Sequence, residues 1–240
     1  MQLCAITDRK RLIAATFSAP SSGLASSPNL LLRAEREAAA RLRALAAGWI
    51  DGGVDFIQLR EKDLAPPALL LLMEEIFGGL DRRNTRLIVN VSADQSLRSS
   101  PTPARAHADL TARLEPLAPF ADGVHLPGRP PPGAVREARR VFRGQGRDAV
   151  VSLVCHSLEE IGVAQAERPD FILFAPVFEK EGERSGTGLP LLRMACRAAG
   201  DVPVLALGGV TVENAPQCVA AGAAGIAGIR LFTGDSWRRL

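Results

Sequence analysis

Val151-Ser-Leu-Val-Cys-His-Ser-Leu-Glu-Glu160 runs a buried strand directly into a capped helix, with a histidine at the seam. Val151–Val154 is a short apolar run of the kind that forms an interior parallel strand. Ser157-Leu-Glu-Glu160 is a capping box: the serine hydroxyl accepts an N–H from three residues on, the glutamate reaches back, and a helix starts just after His156. A strand feeding a helix is half of a βαβ unit, and the turn between them is where α/β proteins hold chemistry. His156 can serve there as a general acid or base near neutral pH, or as a structural histidine that satisfies backbone groups.

The same unit recurs in both directions along the chain. Short apolar runs predict strands over Leu3–Thr7, Asp55–Leu59, Leu87–Asn90, Gly123–Leu126, Val150–Val154, Phe171–Ala175, Val204–Leu207 and Gly225–Ile229. Helical patterns fall between them at Leu30–Gly48, Pro67–Gly78, Ala134–Phe142, Ser157–Ala166, Leu189–Ala199 and Val212–Ala221. Prolines near helix starts and glycines before the next strand support these limits. Strand and helix alternating eight times imply an α/β protein, a (β/α)8 TIM barrel in one domain over residues 1–240. A Ser/Pro-rich insert at about 17–29 reads as a mobile first loop. A similar segment at Ser99–Ala106 extends the third unit. Only about ten residues follow the last strand, so the final helix must be short.

Composition excludes several classes. With 47% hydrophobic and 23% charged residues, the chain has the balance of a soluble globular protein. The net charge of +3 is spread thinly, which argues against nucleic acid as a partner. No apolar run has membrane length, so no membrane partner is expected. The start, Met1-Gln-Leu-Cys-Ala-Ile-Thr-Asp8, lacks a basic signal-peptide region and reads as a first strand. Four scattered cysteines without metal spacing predict reduced thiols and a cytoplasmic location.

The C-terminal strand ends and the loops after them form the active face of such a barrel. Gln58-Leu-Arg-Glu-Lys62 alternates, so Gln58, Arg60 and Lys62 share a face, and two cations there suit a phosphate or carboxylate. The competing reading is a salt-bridged strand end in which Glu61 pairs locally. Asn90 ends the third strand. Leu207-Gly-Gly-Val-Thr211 follows the seventh: Gly208 and Gly209 let the backbone approach a ligand, and Thr211 is expected to cap a helix whose N–H groups face an anion. Ile229 and Arg230 end the eighth strand, and paired loops after strands seven and eight are the usual barrel phosphate site. His125, within Val124-His-Leu126, reads as directed into the barrel wall or core. His107 falls in an irregular surface segment. No pattern with metal-ligand spacing appears.

Six motifs in order now carry a resemblance: Ala5-Ile-Thr-Asp8, Gly53-Val-Asp-Phe-Ile-Gln-Leu-Arg-Glu-Lys62, Asp122-Gly-Val-His-Leu126, His156-Ser-Leu-Glu-Glu160, Phe174-Ala-Pro-Val-Phe178 and Leu207-Gly-Gly-Val-Thr-Val-Glu-Asn214. Together they resemble the thiamine-phosphate synthase/TenI family, over nearly the whole chain. The resemblance implies a barrel that binds a thiazole phosphate in thiamine biosynthesis. The synthase branch joins a pyrimidine pyrophosphate to that thiazole with Mg2+ held by aspartates after strands three and four. At those positions this chain has Asn90-Val91 and Pro127-Gly-Arg-Pro130, which lack the oxygen ligands Mg2+ requires. The synthase's pyrophosphate loop is replaced by Glu179-Lys-Glu-Gly-Glu-Arg184, rich in acid.

The TenI branch also lacks the aspartates. It resembles a metal-independent aminothiazole tautomerase, whose proton transfer falls to the histidine of the strand-five motif, here His156. In that reading Gln58, Arg60, Lys62 and Asn90 contact substrate, while Gly208, Gly209, Ile229 and Arg230 hold phosphate. No cofactor and no metal are then expected. Arg230 stands where the family often has a small serine, and it either strengthens anion binding or fills the pocket. Two alternatives stand beside the tautomerase. One is a divergent synthase that recruits Mg2+ through Asp8 or Asp94. The other is an inert thiazole-phosphate-binding regulator. A homodimer is the assembly that barrels of this size often form.

Overall fold

The computed structural model describes residues 1–17, 28–91, 102–178 and 186–240. Eight parallel strands close in sequence order: β1 Gln2–Ile6, β2 Phe56–Leu59, β3 Arg86–Asn90, β4 Gly123–Leu126, β5 Val150–Cys155, β6 Phe171–Phe174, β7 Val204–Ala206 and β8 Gly225–Gly228. Pairing of Cys4 with Ala227 and of Ala5 with Gly228 seals β1 to β8. The fold is therefore the single-domain (β/α)8 barrel that the strand pattern predicts.

Alternation along each strand sorts side chains into two cores. Ala5, Ile57, Leu59, Val89, Val124, Leu126, Val151 and Leu153 face outward and bury against the helices. Cys4, Ile6, Ile88, Phe171, Leu173, Leu205 and Ala227 fill the barrel itself. Phe56 and Phe171 stack in that interior with ring centroids 4.5 Å apart. Large side chains fully buried in this interior, such as Ile88, Phe171 and Leu173, contribute on the order of 1.5–3 kcal/mol apiece.

The helices are α1 Arg9–Phe17, α2 Pro28–Asp51, α3 Pro66–Phe77, α4 Pro103–Leu114, α5 Ala134–Arg143, α6 Leu158–Glu167, α7 Gly188–Ala198 and α8 Ala215–Ala220. Two differ from expectation. Helix α1 occupies a stretch for which no element was expected, apart from Phe17 at the start of the expected first loop, and only residues 18–27 of that loop lie outside the described residues. Helix α4 begins inside the expected Ser99–Ala106 extension. Thr102 caps it by accepting the Arg105 N–H, and Pro103 opens its first turn. His107 consequently lies on a helix, with Nε2 2.9 Å from the carbonyl of Pro132, and not in an irregular segment.

Among the described residues, no α-helix follows β8. Two 3-10 turns, Arg230–Phe232 and Ser236–Arg239, fold back on α2. The Trp49 indole N–H donates to the Phe232 carbonyl at 2.9 Å, and Trp237 buries against Phe232. Among the described residues, no helix is long and apolar enough to cross a membrane.

Candidate active site

The capping box at the end of β5 is present with one variation. Ser157 Oγ accepts the Glu160 N–H at 3.2 Å, as expected. The Glu160 carboxylate reaches one residue further back than usual and accepts the backbone N–H of His156 at 2.6 Å. Arg129, from the loop after β4, pairs with both Glu159 and Glu160. The exposed His156 ring is fixed from the other side, with Nδ1 2.6 Å from the carbonyl oxygen of Ala175. A carbonyl only accepts, so Nδ1 carries the proton and the neutral ring holds its lone pair on Nε2.

Beneath His156 the barrel interior turns polar. Asn90, His125 and Ser152 stand opposite one another on β3, β4 and β5. His125 Nδ1 lies 2.8 Å from Ser152 Oγ, and both side chains are buried. Burial pushes the His125 imidazole down to about 3, and the nearby positive charges of Arg60 and Lys62 add to the shift. His125 is thus a neutral interior group, on the core side of the expectation. Gln58 points into the same interior with 1% exposure, and its Oε1 has no hydrogen-bond partner among the described residues.

Two recesses open above this layer. The larger is a cleft of about 750 Å³ lined by Arg60, Gly208, Gly209, Ile229 and Arg230, together with Asp8, Arg11, Thr211 and Glu213. Gly208 has φ 93°, and a Cβ there would lie 2.7 Å from the backbone of Pro176, so the turn requires glycine. Thr211 does not cap α8. It forms a reciprocal turn with Asn214, whose Oδ1 accepts the Thr211 N–H at 2.8 Å, and α8 starts only at Ala215 with six residues. What borders the cleft is the Gly208–Glu213 loop itself, in place of an exposed helix end. Arg230 is exposed at the rim and leaves the cleft open.

The smaller recess, about 400 Å³, is lined by Lys62, Asn90, Glu61, Val91 and Arg113 among others. The residues singled out in the sequence are thereby divided. Arg60 and the β7 and β8 residues share one cleft, Lys62 and Asn90 share another, and His156 and Gln58 line neither. Sequence reasoning missed Arg11 and Ser152. Alternation along Val150–Val154 was the available signal for Ser152, since it shares a face with His125's neighbour strand.

Glu61 settles the competing reading of the second strand end. It turns away from the larger cleft and is buried, accepting from Thr7 Oγ1, just after β1, and from the Arg9 N–H at the start of α1. Burial raises its carboxyl, while Thr7 and Arg9 oppose the shift. Its partners are thus not local in sequence, and Arg60 remains in the cleft.

The residues at the ends of β3 and β4 do not suit Mg2+. Val91 is buried in the outer apolar core, Pro130 is buried, and the Arg129 guanidinium is committed to two glutamates. Among the described residues, no group of three His, Cys, Asp or Glu side chains converges to hold a metal. Asp94 and the Glu179–Arg184 loop lie outside the described residues.

A (β/α)8 barrel with polar and cationic recesses at the C-terminal strand ends has the architecture of the barrel enzymes, whose active sites lie on that face. Comparison narrows it. The profile of the thiamine monophosphate synthase family, which includes TenI, matches residues 30–232. A Geobacter sulfurreducens protein named "Putative thiamine-phosphate synthase" is 34% identical over 197 residues, covering 81% of this chain and 80% of its own length. The thiamine-phosphate synthase of Rhodospirillum centenum is 32% identical, with 75% of each chain covered. Thiamine phosphate pyrophosphorylase from Pyrococcus furiosus superposes with a TM-score of 0.63 at 20% identity, over 99% of this chain and 90% of that one, a likeness of fold. The chain belongs to the thiamine monophosphate synthase family.

Proposed function

We propose that the protein acts on a thiazole phosphate and interconverts its tautomers by metal-independent proton transfer through His156. The observation that carries this reading is the contact of His156 Nδ1 with the Ala175 carbonyl, which leaves Nε2 as the basic nitrogen. The phosphate enters the larger cleft, where Arg60 and Arg230 supply positive charge and the Gly208–Gly209 backbone permits close approach. Gln58, Lys62 and Asn90 face the ring and its carboxylate. Nε2 accepts a proton from the ring. The resulting imidazolium is stabilised by its Nδ1–H bond to the carbonyl, and the exposed ring, whose Nε2–H exchanges with solvent, returns a proton to the isomerised ring. Atoms balance as an isomerisation, and no step uses a metal.

A second reading is transfer of a pyrimidine group from its pyrophosphate to the thiazole. The names of the relatives favour it, since they are called synthases. The residues after β3 and β4 favour the first. One experiment separates them. In D2O with a metal chelator, a tautomerase exchanges the thiazole proton at an undiminished rate. A synthase instead releases pyrophosphate, and only with Mg2+ and the pyrimidine pyrophosphate present. Mg2+-dependent pyrophosphate release without chelator-resistant exchange sinks the tautomerase reading, and binding without either reaction marks an inert regulator.

A further inference from the structure

The phosphate cleft draws its cations from three separate pieces of chain: the end of β2, the first turn of α1 and the end of β8. Arg60 and Arg11 are 49 residues apart, so something must fix the first two against each other. A buried junction lies directly behind them. Thr7 Oγ1 donates to Glu61 Oε1 at 2.6 Å and accepts the backbone N–H of Arg60 at 3.0 Å. The backbone N–H of Arg9 donates to both Glu61 oxygens, at 3.2 and 3.1 Å. The Arg9 side chain ties the junction to α2 through Glu35 and to the β2 loop through Asp63.

Each junction residue neighbours a residue of the cleft. Thr7 precedes Asp8, Arg9 stands two before Arg11, and Glu61 follows Arg60. Asp8, Arg11 and Arg60 all line the cleft, and Glu61 does not. A carboxylate with 2% side-chain exposure is a costly way to join two strand ends that apolar packing joins elsewhere in this barrel. All of the hydrogen bonds described at Glu61 donate to it, as an ionised carboxylate needs.

We propose that Glu61 is a positioning residue for anion binding: through Thr7 and the first turn of α1 it holds Arg60 and Arg11 at the spacing that grips a phosphate. The role rests on the reading of the larger cleft as a phosphate site. It extends that reading to Arg11, which no motif marked.

The test is calorimetric titration of inorganic phosphate into the full chain. Wild type is compared with Glu61→Gln, Thr7→Val, Thr7→Ser, Arg60→Gln and the Glu61→Gln/Arg60→Gln pair. Glutamine places an N–H2 against the Arg9 N–H, and valine removes the hydroxyl at constant shape. Both should weaken phosphate binding by about ten-fold or more. Thr7→Ser should bind as wild type, and the loss from Glu61→Gln should be smaller in the Arg60→Gln background than in wild type, since only Arg11 is then left to position. A purely structural role would not produce that non-additivity. If wild type shows no saturable phosphate binding, the cleft reading fails and the positioning role with it. If wild type binds and Thr7→Val binds equally well, or the Glu61 and Arg60 losses add in full, the positioning role fails by itself. Should Glu61→Gln not fold, the Thr7→Val and Thr7→Ser pair decides.

Discussion

The Glu160 carboxylate accepts the backbone N–H of His156 at 2.6 Å, and Arg129 holds the same carboxylate from the loop after β4. The helix cap and the orientation of the candidate proton carrier are therefore one device. Glu160→Ala should cost about 1 kcal/mol of stability, the usual worth of a cap. It should also lower turnover several-fold with KM little changed, because the backbone that aims the imidazole is released. Equilibrium unfolding and steady-state kinetics on the same preparation check both parts.

His156→Ala should reduce turnover by about a hundred-fold or more, the usual contribution of a general acid–base group. Phosphate affinity should stay within about two-fold, since His156 lines neither recess. Exchange kinetics paired with phosphate titration measure the two separately. Persistence of near wild-type turnover would reassign the base.

Gly208→Ala should be damaging out of proportion to one methyl group. Its φ of 93° disfavours any side chain, and the new Cβ would lie 2.7 Å from Pro176. Strain of this kind costs on the order of 1–3 kcal/mol. Displacement of the loop should abolish saturable phosphate binding while the far-ultraviolet spectrum remains that of an α/β fold.

His125 gives the barrel an acid weakness. Its folded imidazole is held down to about 3 against an ordinary value of 6.5, so the unfolded chain takes up the proton first. Stability is then full above about pH 6.5 and is lost as pH falls toward 3, by about 1.4 kcal/mol per pH unit for this one group. Urea midpoints at pH 7.5 and 5.0 should fall further for wild type than for His125→Gln. Equal drops in the two proteins would remove His125 as the cause.

Trp237 packs over the end of the barrel in the second 3-10 turn after β8. It is buried against Phe232, beneath the Trp49 bond to the Phe232 carbonyl. Trp237→Ala should destabilise by about 3–5 kcal/mol, read from thermal or denaturant unfolding.

The strands were legible because each is a buried apolar run between glycine or proline breaks, and their observed limits fall within two residues of expectation. Helix α1 was hidden because Arg9-Lys-Arg11 gives it no apolar stripe at the start. Its signal was Asp8, whose Oδ1 accepts the Arg11 N–H. Helix α4 was masked by the serines and prolines before it, although Thr102-Pro103 is a sound start signal. The site was readable where motif and strand end coincide, as at His156, Arg60 and Gly208. It was not readable where partners meet only in space. Glu61 and Thr7 are 54 residues apart, and nothing local marks them as a pair.

The polar layer of Gln58, Asn90, His125 and Ser152 has a consequence for selectivity. Below it the barrel is hydrocarbon, centred on Phe56 and Phe171. On the proposed reading, a guest in the mouth reaches this layer at Asn90, which lines the smaller recess, with Gln58, His125 and Ser152 buried in the same interior. A donor heteroatom that reaches the Gln58 oxygen satisfies an atom buried without a hydrogen-bond partner among the described residues, and a bare hydrocarbon edge does not, a difference of about 1–3 kcal/mol. On the proposed reading the barrel weighs a ligand at both ends: its charge at the rim, and the chemistry of its lowest atom at the floor.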